Sequence, residues 1–303
     1  MRHRFLSALI ILLAAGLDAK PQEGPMAMNP VGVQSSGQAA RPDPPVRTGA
    51  PESMTPGPGL QVRPALPDPG PPPLPKAVKN PQGFWEVDQD LGPCRMRMVA
   101  IPAGTFLMGE APDPCVVVTL THGFWMGKYP VTQAQWQAVM ESDPSRFKGP
   151  DLPVEKVSWE DCQRFIKRLQ SPESGTFRLP TEAEWEFACR AGSTGERYGD
   201  LDEIAWYEET SQDTTHPVGR LRPNAFGLYD MLGNVRQWCQ DWGEIYAAGE
   251  ATDPQGPATG TERVYRGGSW ATIGKKVRSA FREGAPPDRR SQFVGFRLLR
   301  TMP

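Results

Sequence analysis

A chain of 303 residues with 34 prolines, 31 glycines and a hydrophobic share of 38% has room for one larger or two small domains, with part of its length unpacked. Its formal net charge of -2 excludes a global field that would steer it to nucleic acid or to acidic membranes. Five cysteines are too few for a disulfide-built scaffold, so hydrophobic burial has to supply most of the stability.

Arg2-His3-Arg4 followed by an apolar run over residues 5–17 has the layout of a secretory signal peptide, with cleavage expected after Ala19. The run is too short to cross a bilayer, so no membrane span is expected after cleavage. This predicts an exported protein, periplasmic or extracellular. Residues 20–82 are rich in Pro, Gly, Ala, Gln and Ser, a composition that buries too little apolar surface to offset the entropy of ordering it. They read as a disordered, partly polyproline tether, and the folded domain is expected over 83–303, where Phe84-Trp85 open the aromatic-rich part.

Residues 96–101, the Pro102-Ala103-Gly104 turn and residues 105–109 read as strand, turn, strand. Val116 to Leu120 is a β-branched run, and 124–129 predicts another strand. Cys94 and Cys115 flank this region and are expected to form a disulfide in an oxidising compartment, whereas Cys162, Cys189 and Cys239 read as buried thiols. A helix is predicted over 132–140. Ser158, with Asp161 three residues on, starts a second helix, whose apolar face is Trp159, Cys162, Phe165, Ile166 and Leu169. Thr181-Glu182-Ala183-Glu184 is a capping box for a third, which Gly192 ends.

Residues 226–242 mix aromatics and glycines with Asp230, Asn234, Gln237 and Asp241. Gly227 and Gly233 mark turns, and oxygen-bearing side chains beside a glycine turn suit a hard cation such as calcium. The same residues also describe a buried, irregular segment with Asx turns.

The wording of that stretch resembles the formylglycine-generating enzyme, or sulfatase-modifying factor, family, and more of the family pattern runs along the chain. Residues 102–109 resemble its opening hairpin, and residues 128–133 and the segment from Pro153 to Trp159 its helix starts. Arg178-Leu179-Pro180-Thr181-Glu182-Ala183-Glu184-Trp185-Glu186 is its most recognisable signature, and Arg266-Gly267-Gly268-Ser269-Trp270 and Gly295-Phe296-Arg297 close the domain. The resemblance implies an α+β domain, the formylglycine-generating-enzyme-type variant of the C-type lectin fold, with limited regular secondary structure.

It also implies a reaction: oxidation of a target cysteine in a sulfatase by molecular oxygen, at a copper ion held by two cysteines that follow the Gly-Gly-Ser-aromatic motif. Soft thiolates select Cu(I). Here residues 271–282 contain no cysteine, and none follows Cys239, so copper is not expected and the chain reads as a pseudoenzyme. An iron site from His122 and His216 has no supporting spacing. For calcium, the resemblance implies ligands at Asp230, Gly233, Val235 and Gln237. The family's Glu is Gln237 here and Arg236 adds a positive charge, so calcium binding is expected to be weak or absent.

Residues 262–300 carry ten basic against three acidic side chains, a local +7. Around the missing copper cysteines this predicts a basic site of Ser269, Trp270, Lys275, Lys276, Arg289 and Arg290 for an anionic ligand, peptide or glycan. Nucleic acid is not expected for an exported protein without interleaved exposed aromatics. The reading is an exported binding or accessory module; the alternative is an oxidoreductase-type enzyme of the same family, using a metal site that the sequence does not display.

Overall fold

The computed structural model describes residues 74, 76–111, 115–169, 176–243 and 248–302. The expected signal peptide and most of the expected linker lie outside these residues. The folded chain nevertheless starts ahead of residue 83. Strand β1 (Val78–Lys79) pairs antiparallel with β2 (Trp85–Asp90), and Asn80 closes the hairpin by accepting the Gln82 and Phe84 N–H groups. The Asn80 amide also donates to Phe226 O at 2.9 Å, which ties this hairpin to the body of the domain.

The chain continues through β3 (Arg95–Ile101), β4 (Gly104–Met108), β5 (Val116–Leu120) and β6 (Phe124–Gly127), then helices α1 (Gln133–Met140) and α2 (Trp159–Leu169). After β7 (Phe177–Arg178) come α3 (Glu182–Arg190) and the short α4 (Leu201–Ile204). The C-terminal part adds β8 (Arg236–Trp242), β9 (Gly249–Thr252), β10 (Arg263–Arg266), a 3-10 turn (Gly274–Lys276), β11 (Arg282–Ala285), β12 (Val294–Phe296) and β13 (Leu299–Thr301).

These strands form a six-stranded antiparallel sheet in the order β1-β2-β3-β6-β13-β7, a four-stranded sheet β11-β10-β8-β12 and a three-stranded sheet β4-β5-β9. Two pairings are parallel, β12 with β8 and β5 with β9. Both expected strands on either side of Pro102-Ala103 exist, but they do not form a hairpin. β2 and β6 already occupy the two edges of β3, so β4 leaves that sheet and pairs with β5.

Period-two alternation in the strands divides two cores. Val99, Ile101, Phe124 and Met126 face a cluster with Trp185, Ala188, Leu228 and Met231. Met96, Met98, Ala100 and Trp125 face the other, with Trp136, Phe165, Trp238 and Phe296. Helix α2 lays Cys162, Phe165, Ile166 and Leu169 into the second cluster, the face its sequence spacing predicts.

The caps follow the sequence closely. Ser158 and Asp161 exchange bonds at the start of α2, and Thr132 with Gln135 forms a capping box on α1. At α3, Thr181 Oγ1 accepts the Glu184 N–H at 3.2 Å, while Glu184 accepts the Thr181 N–H at 2.8 Å. Glu184 also receives both arms of Arg178, each at 2.6 Å. Glu184→Ala is therefore expected to cost about 2 kcal/mol, the loss of half a cap plus a charged pair. Urea midpoints of the two proteins check it, and equal midpoints would show that neither bond matters.

The expected Cys94–Cys115 disulfide is not present. Cys94 is a thiol packed against the second cluster, and burial together with Asp90 pushes it up to about 11. Cys115 instead leads into β5, in a different sheet.

Candidate functional site

The segment following β10 turns sharply at Gly267 and Gly268, both at positive φ (95° and 74°). Ser269 is fully buried: its N–H donates to Thr272 Oγ1 at 2.9 Å and its hydroxyl accepts the Ala271 N–H at 3.4 Å. Its hydroxyl is engaged within the turn, also lying 3.1 Å from Thr272 Oγ1. Trp270 is also buried, with its indole N–H on Gln292 O at 3.2 Å and its ring against Phe147 and Phe293. Of the six residues of the expected ligand site, Ser269 and Trp270 are thus buried in packing the turn.

The 3-10 turn that follows is held by Arg197, which donates to Val277 O and to Gly274 O, each at 2.8 Å. Lys275 and Lys276 are exposed on this turn, and Lys276 Nζ lies 5.5 Å from the centre of the Phe281 ring. Arg278 pairs with Glu110, and Arg282 grips Glu182 through two bonds of 2.7 and 2.8 Å. Arg289 is exposed. Arg290 is committed to Asp161 at the start of α2, at 2.6 and 2.9 Å. Burial would raise the Asp161 carboxyl, but the bonds from Arg290 and Ser158 outweigh it and hold the group at about 2. Lys275 and Lys276 thus sit on the turn that Arg197 holds, and Arg290 is held at the start of α2.

Asp230, Gly233, Val235 and Gln237 do come together, all of them buried or turn-forming, but their polar atoms face protein. Asp230 Oδ2 accepts the Gly219 N–H at 2.7 Å and Oδ1 accepts from Asn234 at 3.2 Å. Gln237 Oε1 accepts from Trp185 Nε1 and from Arg297 Nε, both at 3.0 Å, and its amide donates to Asp230 O at 2.7 Å. Arg236 does not approach this centre. It pairs with Glu283 at 2.7 Å and lies over the rings of Tyr265 and Phe293.

Cys162 sits in one core cluster and Cys189 and Cys239 in the other, all fully buried. Burial pushes all three thiols up, Cys189 to about 12, which disfavours their thiolate forms. His122 bonds Thr121 and His216 stacks on Trp206 at 3.8 Å, so the two histidines have separate structural partners. Among the described residues no three His, Cys, Asp or Glu side chains gather as a metal site.

Sequence reasoning overlooked two features. The first is a buried ion network on α3, in which Glu186 joins Arg190 and Arg266 while Glu182 joins Arg266 and Arg282. The second is Arg263, whose guanidinium lies between Trp159 and Trp242, 4.0 and 3.5 Å from their ring centres. Three glutamates at alternate positions of a helix that is buried all round signal the first. Nothing local signals the second.

Residues 88–302 match the family described as the sulfatase-modifying factor enzyme 1-like domain. The chain belongs to that family. The formylglycine-generating enzyme of Streptomyces coelicolor is 35% identical over 213 residues, 63% of this chain and 65% of that protein. The chaperone protein LppX of Paenibacillus barcinonensis is 30% identical over 230 residues, 58% of this chain and 79% of its own length. Among solved structures, Treponema denticola variable protein 1 aligns with a TM-score of 0.67 at 30% identity, covering 72% of this chain and 99% of that one. The sulfatase-modifying-factor domain here therefore has the C-type-lectin-type fold that its motifs imply. No helix among the described residues is long and apolar enough to cross a membrane.

Proposed function

We propose that this sulfatase-modifying-factor domain is an exported binding or accessory module without copper-dependent oxidase activity, presenting a basic turn to an anionic peptide or glycan. One observation carries this reading. The segment that follows Gly-Gly-Ser-Trp has no thiol and instead exposes Lys275 and Lys276 on a single pinned turn. A copper dithiolate needs two accessible thiolates, and Cys162, Cys189 and Cys239 are buried in the cores. The similarity to a protein named as a chaperone is in keeping with a non-catalytic role. The signal-like start of the chain supports export.

Purified protein is expected to bind no copper stoichiometrically and to leave the cysteine of a sulfatase-type peptide unoxidised. Mass spectrometry of the peptide and metal analysis of the protein check both, and either formylglycine or one equivalent of copper would overturn the reading. Lys275→Glu with Lys276→Glu is expected to weaken binding of a polyanion such as a sulfated glycan or poly-glutamate by about tenfold or more. Stability should hardly change, because both lysines are exposed. Unchanged binding would remove the basic turn from the recognition surface.

A further inference from the structure

We propose that the centre around Asp230, to which the family resemblance gives calcium, takes no divalent ion in this protein, because the buried guanidinium of Arg297 beside it is the local cation, and that Gln237 is the residue that sets this choice. Arg297 is completely buried. Its fork donates to four oxygens from three parts of the chain: Gly127 O, Tyr229 O, Asp230 O at 3.3 Å and Gln237 Oε1 at 3.0 Å. Carbonyl and carboxamide oxygens are the ligands a hard cation uses, and Gln237 Oε1 is the one that both the implied calcium set and Arg297 call on. Here a fixed side chain of this protein already engages these oxygens, with N–H groups matched to each acceptor.

Gln237 excludes a metal in a second way. An amide oxygen has two lone pairs, and both are taken, one by Trp185 and one by Arg297. The Asp230 carbonyl is likewise taken by Gln237 and Arg297. The charges agree with the geometry: the buried Asp230 carboxylate and the buried Arg297 guanidinium attract one another through space, although the side chains do not bond directly. A divalent ion added to that buried pair would leave an uncompensated charge, which burial penalises heavily. A glutamate at position 237 would supply a second carboxylate with spare lone pairs. It would leave the centre at a net single negative charge and make room for calcium in the balance.

The test uses the full chain. Thermal unfolding of the wild type in millimolar calcium and in EDTA is expected to give the same Tm. Gln237→Glu is expected to rise on the order of 5–10 °C once calcium is about 100-fold above its dissociation constant. A wild-type rise that disappears in Asp230→Asn would place the ion at this centre and overturn the proposal. A rise that persists in Asp230→Asn but disappears in Asp230→Ala would overturn it as well, because an amide oxygen can still ligate calcium. A folded Gln237→Glu protein with no calcium response would overturn the role given to Gln237. Should that variant fail to fold, calorimetric titration of calcium into the wild type and Asp230→Ala decides alone: uptake that depends on Asp230 refutes the proposal, and its absence upholds it.

Discussion

Glu186→Ala is expected to destabilise the domain by about 3–5 kcal/mol, the range for removing one partner of a buried charge network. Glu186 is completely buried, as is Arg266, and Arg190 is nearly so. Its carboxylate accepts the Gly109 N–H at 2.9 Å and Arg190 Nε at 2.8 Å, and it takes Arg266 on its other oxygen. Alanine would leave two buried guanidiniums short of a counter-charge. Arg266 would keep Ala280 O and a 3.5 Å approach to Glu182, and Arg190 would keep Gly195 O and Gly109 O. Neutral carbonyls cannot replace a carboxylate for Arg190, and the Glu182 carboxylate, which Arg282 also grips, is a longer-range partner for Arg266. Glu186→Gln retains the shape and an acceptor, so it should cost clearly less than alanine. Urea unfolding of both variants checks this. A loss below about 1 kcal/mol for alanine would mean that water reaches the arginines and that the network is not truly dry.

Gly233→Ala is the other change with a large expected effect, about 3 kcal/mol or more, with soluble yield falling as well. Gly233 has φ +74°, and a Cβ there would stand 2.3 Å from Trp206 O and 2.7 Å from Trp206 N. Both are backbone atoms in a bridge between Trp206 and Gly233, so no side-chain rotation relieves the clash. Gly192→Ala serves as the control. Its φ is +89°, but nothing lies within 4 Å of the added Cβ. It should therefore lose only the conformational part, about 1 kcal/mol. Equal losses for the two variants would show that the Trp206 contact is soft and that Gly233 is needed for its dihedral angles alone.

The contrast between these residues explains what could be read from the sequence. Helix starts are written in side chains that act on their own backbone three residues away, so Thr181 with Glu184 and Ser158 with Asp161 were legible at once. The apolar face of α2 was legible for the same reason, since its spacing is local. Strand partners are set by distant segments, which is why β4 looked like the other half of a hairpin with β3 yet pairs with β5. The Cys94–Cys115 bridge failed likewise, because closeness in sequence did not place the two cysteines in one sheet.

The candidate site was read with similar unevenness. Exposure of Lys275 and Lys276 followed from a short Gly-Lys-Lys turn. The seating of Trp270 against Gln292, and capture of Arg290 by Asp161, depended on elements more than 20 residues away and could not be read locally. That Asp230, Gly233, Val235 and Gln237 lie near one another follows from their closeness in sequence. The bond from Arg297 to Gln237 could not be read locally, because that guanidinium arrives from 60 residues further on.

The two-residue strand β1 has a mechanical consequence. It sits at the rim of the six-stranded sheet and pairs only through Val78 with Glu86 and Lys79 with Trp85, whereas β13 near the other end of the chain is inserted between β6 and β7. Traction applied to the chain ahead of β1 would open these rungs one at a time, like a zip, and would then meet the Asn80 clasp on Phe226. Traction from the β13 end would have to shear two flanking strands at once. Slack on the N-terminal side is therefore given up stepwise: opening β1 also lifts Leu74 and Ala77 off the second core before the Asn80 clasp carries the load.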